Sequence, residues 1–162
     1  MADLNPGEEK AALYLEDLRV GQRFLSGTHR IDEEQIRAFA EQLDPQPFHL
    51  DAEAAKGTLF GGLAASGWHT AAISMKLLVT SGIPLAGGII GSGGELSWPR
   101  PTRPGDVLRV VTTVEEIVPS RSRPDRGRAR LRNETLNQHD EAVQVFTANV
   151  VMPRRTEAAD PG

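Results

Sequence analysis

The sequence predicts an α+β domain in which an antiparallel sheet wraps around one buried helix. The first observation is a helical segment at residues 67–80, whose many apolar residues leave no continuous polar face. A helix that is apolar nearly all round is a buried one, and this segment is too short to span a bilayer. The second observation is that residues 85–153 consist of consecutive strand and turn patterns. Strands that follow one another after a helix indicate an α+β arrangement rather than alternating β/α units.

The composition is that of an ordinary single domain. The 162 residues are 39% hydrophobic and 25% charged, which suits one core. The net charge of −4 gives no support to nucleic-acid binding, which leaves a basic footprint. The chain has no cysteine, which excludes disulfides and thiol catalysis and fits a reducing compartment. The polar N-terminus lacks a signal-peptide core and no apolar run reaches membrane-span length, so we expect a cytoplasmic protein without a membrane partner.

The predicted domain covers residues 13–153. Residues 1–12 are expected to form a flexible leader, and residues 154–162 a flexible polar tail. Between them, residues 15–31 carry short apolar pieces separated by glycines, which indicates strand-like segments. The stretch 107–118 is rich in β-branched residues, and residues 126–137 and 141–152 have the pattern of a hairpin.

Three helices are predicted before the main run of strands. The first spans Glu33 to Gln42, with Asp32 as its N-cap and apolar residues at i, i+3, i+4 and i+7: Ile36, Phe39, Ala40 and Leu43. A short acidic helix at residues 51–55 follows. The third begins after Ser66, a good N-cap, and ends near Gly82. The glycine-rich stretch 87–98 then predicts a strand that another backbone or a ligand can approach closely.

The loop from Asp44 to His49 places a carboxylate and an imidazole five positions apart. Pro45 and Pro47 fix φ and remove backbone donors, so the prediction is a stiff extended loop. A carboxylate can orient a neutral imidazole, which titrates near the working pH, so the two residues are a candidate acid/base pair. On the loop alone, the simpler interpretation is a rigid turn with a surface Asp and a hydrogen-bonded His, because turns collect Asp and Pro.

Other polar and aromatic residues have plainer interpretations. Four arginines alternate along one predicted strand face and could face phosphate, but we favour a solvated face or a protected edge: Arg126, Arg128, Arg130 and Arg132. Trp68 and His69 could line a binding pocket, but we favour Trp68 as a core residue and His69 as a satisfied core residue. His29 and His139 are expected on the surface. Neither of these two histidines has Asp, Glu or His at ligand spacing, so no metal site is predicted.

Three segments in this order resemble the MaoC-like acyl dehydratases, relatives of the (R)-specific enoyl-CoA hydratases. They are Asp44-Pro-Gln-Pro-Phe-His49 with the Leu-Asp and Ala-Ala that follow, Ala65-Ser-Gly-Trp-His-Thr-Ala71, and Glu95-Leu-Ser-Trp98 followed by Pro101 and Pro104-Gly-Asp106. The resemblance covers roughly residues 15–153. It implies a hot-dog fold, which is a curved antiparallel β-sheet wrapped around a long central α-helix, usually paired as a dimer or a double hot dog. We therefore expect a homodimer or a higher homo-oligomer.

The same resemblance implies an activity. The substrate would be a thioester of coenzyme A or acyl carrier protein, and the reaction the reversible addition of water to a trans-2-enoyl thioester, with no cofactor. Asp44 and His49 match the acid and imidazole that hold the water and pass protons. Gly67 matches a helix-N-terminal glycine whose N–H polarises the thioester carbonyl. Ser66 belongs to the same substrate-binding end and stands where the hydratases usually carry His.

Two other functions stay open at this point. One is a thioesterase of the same fold, although such enzymes generally lack a paired Asp and His on one loop. The other is a non-catalytic acyl-CoA binding module, against which the intact pair argues. Gln46 stands where the motif commonly has Asn, which favours the module and leaves the role of this amide open. Acyl chain length, donor and direction of reaction are not predicted.

Overall fold

The computed structural model describes residues 11–155, which form one antiparallel sheet and its helices. After a 3₁₀ turn at Leu15–Asp17, the elements are β1 (Arg23–Arg30), α1 (Glu33–Leu43), α2 (Pro47–Leu50), α3 (Ala52–Lys56), α4 (Gly67–Ser81), β2 (Ile90–Ser97), β3 (Val107–Pro119), β4 (Arg126–Leu136) and β5 (Ala142–Pro153). The strand order is β1-β3-β4-β5-β2, and every neighbouring pair is antiparallel. The curved five-stranded sheet with its helix is the hot-dog fold, as expected.

The chain ends are only partly covered. The predicted leader lies almost wholly outside the described residues, as does the predicted tail beyond Arg155. The first two residues assigned to the tail are held in place. Arg154 lies 2.8 Å from Glu16 and Arg155 lies 2.5 Å from Asp17, in ion pairs that join the two ends of the domain. None of the helices in residues 11–155 is long and apolar enough to cross a bilayer.

Helix α4 packs one face on the sheet, against β1, β3 and β5. Ile73, Leu77 and Leu78 on that face join a core that includes Leu108, Val110, Val114, Leu131, Val150 and Met152. The expectation that α4 is buried all round is wrong for this chain. The sheet covers only one side, so an outer stripe of Trp68, Ala72, Met75 and Val79 remains exposed at four-, three- and four-residue spacing.

The first two helices show how local signals operate here. In α1 the Asp32 carboxylate accepts a hydrogen bond from the Gln35 N–H at 2.9 Å, and Ile36 is buried, as predicted. The expected extended loop at residues 44–49 is wrong in its second half. Pro47 occupies the first position of α2, where a missing N–H has no cost and φ is already helical. The resulting turn carries His49 inward.

The alternating arginines of β4 lie on an ion-paired surface. Arg130 lies 3.3 Å from Glu115 on β3, and Arg132 lies 2.9 Å from Glu134. Arg126 pairs with Asp125 at 3.0 Å and Arg128 faces Glu116 at 3.9 Å. Such exposed pairs contribute about 0–1 kcal/mol each. The geometry favours the solvated-face interpretation over a phosphate-binding stripe.

His69 on α4 is buried, but it is not satisfied as expected. Its side chain is 8% exposed, its ring stacks on Phe39 at 4.5 Å, and its Nδ1 has no hydrogen-bond partner within residues 11–155. Burial, with a smaller contribution from His29, lowers the pKa of His69 to about 4. His29 itself is half-buried and contacts the Gln35 side chain at 2.8 Å, whereas His139 is exposed as expected.

His69 should make the fold acid-sensitive. In the unfolded chain the His69 side chain becomes protonated near pH 6.5, whereas in the folded chain it stays neutral down to about pH 4. His69 therefore leaves the free energy of unfolding unchanged above pH 6.5. As the pH drops to 4, protonation of this group in the unfolded chain lowers the free energy of unfolding by up to about 3 kcal/mol. Urea unfolding at pH 7, 5 and 4 measures the slope. His69→Leu should flatten it, and an unchanged slope in that variant would assign the acid sensitivity to other groups.

Candidate active site

Asp44 and His49 lie side by side at the junction of α1 and α2. Asp44 is the C-cap that directly follows α1, and the one-turn helix α2 returns His49 toward it. The His49 Nε2 and Asp44 Oδ2 atoms are 3.2 Å apart, with 4% and 17% of the two side chains exposed. The two residues singled out from the sequence are therefore adjacent, nearly buried and close enough to share one water molecule or one proton.

The backbone fixes the orientation of the His49 ring. His49 Nδ1 lies 2.6 Å from the carbonyl oxygen of Ala64. A carbonyl only accepts hydrogen bonds, so Nδ1 carries a hydrogen whether the ring is neutral or charged. The second nitrogen, Nε2, is the one that exchanges protons, and it faces Asp44. The Ala64 N–H in turn donates to the Phe48 carbonyl at 3.1 Å, which ties the two segments together.

Neighbouring polar groups keep the Asp44 carboxylate ionised. The Gln46 amide donates to Oδ1 at 2.6 Å, which gives this residue a role that the sequence left open. Burial raises the pKa of Asp44. Hydrogen bonds from the Ser66 hydroxyl and from Gln46, together with the charge of His49, lower it by more than burial raises it, so the net pKa is below its ordinary value. At neutral pH Asp44 is therefore a carboxylate that accepts hydrogen bonds.

Ser66 connects this carboxylate to helix α4. Ser66 is fully buried, and its Oγ accepts a hydrogen bond from the Trp68 N–H at 3.3 Å as the N-cap of α4. Its hydroxyl hydrogen is then available to Asp44. Ser66 thus fixes where the acid stands relative to the helix N-terminus. Its assignment to substrate binding stays a prediction, since it does not line the cavity described next.

Gly67 is the first residue of α4. The N–H at this position has no carbonyl partner within the helix and lies at the positive end of the helix dipole. A Cβ built on Gly67 would lie 2.6–2.8 Å from three carbons of the Trp98 indole, so no other residue fits without moving that ring. Gly67 therefore offers an N–H donor beside a closely packed aromatic wall.

A cavity of about 400 Å³ joins these groups. Asp44, His49 and Gly67 line it together with mostly apolar side chains: Phe48, Phe60, Ala65, Trp68, Trp98, Pro99 and Pro101, with Gln46, Thr70, Arg100 and Thr102. The expectation that Trp68 packs in the core is wrong, because its side chain is 61% exposed on the outer stripe of α4. An apolar cavity with few polar groups suits an organic ligand with one reactive end.

Arg103 supports the site from behind, and sequence reasoning missed it. Its guanidinium donates to the carbonyls of Phe60, Gly62 (2.9 Å) and Leu63 (3.2 Å). The neighbouring Thr102 carbonyl accepts from the Ala65 N–H at 2.9 Å. The turn after β2 thus fixes the backbone around Ala64, whose carbonyl accepts the hydrogen bond from His49 Nδ1. An arginine in a turn carries no local signal of such contacts, which reach about forty residues along the chain.

Arg103→Met should destabilise the fold and disturb the site. Three carbonyls lose a charged donor at once, and we expect a loss of at least about 3 kcal/mol, since each unsatisfied group costs roughly 1–3 kcal/mol. Arg103→Lys keeps the charge but not the planar set of donors, so its free energy of unfolding should lie between those of wild type and Arg103→Met. Urea unfolding gives the free energies. A Met variant as stable as wild type would show that water replaces the guanidinium.

Within the part of the chain that the structure describes, no group of three His, Cys, Asp or Glu side chains could hold a metal ion. What the arrangement offers is proton transfer next to a hydrogen-bond donor for a developing oxyanion. Fold and site together define a hot-dog domain with an acid–imidazole pair at the N-terminus of its central helix.

Comparison with known proteins agrees with this class. A family model described as the MaoC like domain matches residues 18–136, and the chain belongs to the MaoC-like dehydratase family. It is 35% identical over 154 residues to a 3-hydroxybutyryl-CoA dehydratase of Methylorubrum extorquens, covering 94% of this chain and 92% of the relative.

Two solved structures are similar along most of the chain. The crystal structure of a MaoC-like dehydratase from Rhodospirillum rubrum is 64% identical, covers 90% of this chain and 100% of its own, and superposes with a TM-score of 0.89. The unliganded R-hydratase PhaJ1 from Pseudomonas aeruginosa is 29% identical, covers 93% and 94% of the two chains, and gives a TM-score of 0.70.

Proposed function

We propose that the protein is an enoyl-thioester hydratase, or dehydratase in the reverse direction, that adds water to a trans-2-enoyl thioester of coenzyme A or acyl carrier protein. The observation that carries the proposal is the 3.2 Å Asp44–His49 pair facing the same cavity as the Gly67 N–H. Membership of a dehydratase family and the name of the 35% identical relative support it. A cytoplasmic location stays a prediction from composition.

The chemistry assigns one role to each group. A water molecule between the Asp44 carboxylate and His49 Nε2 gives a proton to Nε2 while its oxygen bonds to C3 of the enoyl group. The imidazolium then returns a proton to C2, so one water is added and the pair is restored. Asp44 orients the water and stabilises the imidazolium, while the Ala64 carbonyl keeps the other ring nitrogen protonated throughout.

The remaining charge develops on the thioester oxygen. As oxygen adds to C3, electron density moves through C2 onto the carbonyl, which becomes enolate-like. The Gly67 N–H donates to that oxygen, aided by the positive end of α4. Donors of this kind contribute about 10²–10³-fold to the rate. The apolar cavity lowers the local dielectric and strengthens the interaction.

The first experiment is turnover of crotonyl-CoA, followed by the loss of ultraviolet absorbance of the conjugated thioester. A four-carbon substrate is chosen because of the relative named as a 3-hydroxybutyryl-CoA dehydratase. A free-thiol assay runs in parallel. Loss of absorbance without thiol release supports hydration, whereas thiol release indicates the thioesterase alternative. Saturable binding of enoyl thioesters of every length tried, without either reaction, would leave the binding module as the function.

The proposal includes a homodimer or a higher homo-oligomer. The outer stripe of α4 exposes Trp68, Met75 and Val79, and β2 is an edge strand whose first residue, Ile90, is exposed. Exposed apolar side chains in one patch mark an interaction surface, and an unpaired strand edge is a template for another strand. A second copy of this chain satisfies both features at once.

Charging the stripe should therefore disrupt the assembly. Met75→Asp and Val79→Asp should lower the molecular mass measured by sedimentation toward that of one chain, because each buries a carboxylate at the contact. Val118→Asp is the matched control, since Val118 is also an exposed apolar residue but lies on β3. A wild-type protein that sediments as a monomer, or an assembly unaffected by either substitution, would contradict this arrangement.

A further inference from the structure

The Trp98 indole is held rigidly against the N-terminus of α4. Its Nε1–H donates to the Gln144 side chain at 3.0 Å, and Gln144 is itself buried on β5. Its ring meets the Trp68 ring edge-on, with centroids 5.3 Å apart and planes at 84°. The indole also fills the space that a side chain at Gly67 would occupy. The ring cannot tilt away without breaking the hydrogen bond to Gln144.

Two consecutive residues at the start of α4, Ser66 and Gly67, each face a different group of the site. The Ser66 hydroxyl helps to lower the pKa of Asp44, and the Trp98 indole fills the space that a Cβ on Gly67 would need. In an α-helix the Cα–Cβ bond tilts toward the N-terminus, so the space filled by the indole lies beside the outward-pointing Gly67 N–H. A carbonyl bound to that N–H therefore has the acid–imidazole pair near one side and the indole near another, and all of these groups line the same cavity.

We propose that Trp98 is a specificity-determining residue, which restricts the enzyme to acyl thioesters that are unbranched at C2. This inference rests on the proposed function. C2 is bonded to the carbonyl carbon, so it lies within a few ångströms of the N–H that holds the carbonyl oxygen. The acid–imidazole pair must reach C2 and C3 from its own side. A methyl group on C2 then meets the indole, which already fits Gly67 without a gap.

The test compares crotonyl-CoA with 2-methylcrotonyl-CoA in wild type, Trp98→Phe and Trp98→Ala. In wild type kcat/KM for the branched substrate should be lower by about 100-fold, in line with what a tight pocket achieves against one extra carbon. Trp98→Ala should reduce that ratio at least about tenfold, with Trp98→Phe between the two. Trp98 is 41% exposed and does not belong to the buried hydrophobic core, so we expect both variants to fold, and circular dichroism checks this.

Phe60→Leu is the control. Phe60 lines the same cavity but packs beside Phe48 and His49, with ring centroids 5.0 and 5.9 Å away, so it should change both substrates alike. Crotonyl-CoA turnover with an unchanged ratio in both Trp98 variants overturns the inference and leaves the proposed function standing. Wild type that hydrates both substrates equally also overturns it. If wild type turns over neither substrate, the proposed function fails and the inference with it.

Discussion

Asp44→Asn should fold normally and lower kcat/KM for crotonyl-CoA by about 10³-fold, within the range of 10²–10⁴ for a positioned acid/base group. The amide has nearly the same shape, so packing is preserved. It carries no charge, so it does not stabilise the His49 imidazolium 3.2 Å away, and it holds the reacting water less strongly than a carboxylate does. The substitution also replaces one of the two carboxylate oxygens, which accept hydrogen bonds, by an NH₂ group, which donates them. The Ser66 hydroxyl and the Gln46 amide, which both donate to Asp44, then have one acceptor atom fewer.

Gln46→Leu is the matched control for Asp44→Asn. It removes the 2.6 Å hydrogen bond to Asp44 Oδ1 and leaves the carboxylate, Ser66 and His49 in place. We expect a loss of roughly tenfold, since one hydrogen bond to a charged group contributes about 1.5–3 kcal/mol and water replaces part of it. Initial rates over a range of crotonyl-CoA concentrations separate kcat from KM. An Asn variant that keeps more than a tenth of wild-type activity would place the chemistry elsewhere.

Gly67→Ala should lower kcat/KM by at least about 100-fold, for a steric reason. The added methyl group would lie 2.6–2.8 Å from three carbons of the Trp98 indole, closer than real contacts allow. Either the ring or the start of α4 must move. The second response shifts the N–H away from the carbonyl oxygen, and loss of one such donor costs 10²–10³-fold. Overpacking of this kind also destabilises by about 1–3 kcal/mol.

A double mutant distinguishes the steric cause from a general intolerance at this position. If the indole is the obstacle, Gly67→Ala should be far less harmful in a Trp98→Ala background than alone, so the two effects are not additive. Gly91→Ala on β2 is the control, because a Cβ there meets nothing within 4 Å. Additive losses in the double mutant would mean that the methyl group acts on the substrate rather than on the indole.

The elements that sequence reasoning placed correctly are those with local causes. Asp32 and Ser66 are N-caps whose side chains accept hydrogen bonds from residues two or three positions later, so a short window of sequence contains the whole interaction. The Asp44–His49 pair belongs to the same category, because the two residues are only five positions apart. Its geometry was nevertheless misjudged, since Pro47 can begin a helix as well as prevent one.

The features that were missed depend on distant parts of the chain. Trp68 lies on a helix rich in apolar residues, and only the sheet decides which side of that helix is covered. Arg103 bonds carbonyls about forty residues earlier, and Trp98 packs on Gly67 about thirty residues away. Side-chain type does not encode such contacts. They follow from how the turn after β2 folds back over the start of α4.

The partner of His49 Nδ1 is a main-chain oxygen, and this has a consequence for how the site tolerates genetic change. Every residue type at position 64 has the same carbonyl, so a substitution there acts on this hydrogen bond only if its side chain displaces the backbone around the fully buried Ala64. The substitutions expected to disturb this hydrogen bond are those of residues that keep the backbone around position 64 in place, above all Arg103. Variants that inactivate this protein are therefore expected to include substitutions that never touch the cavity, and an inventory of its lining would overlook them.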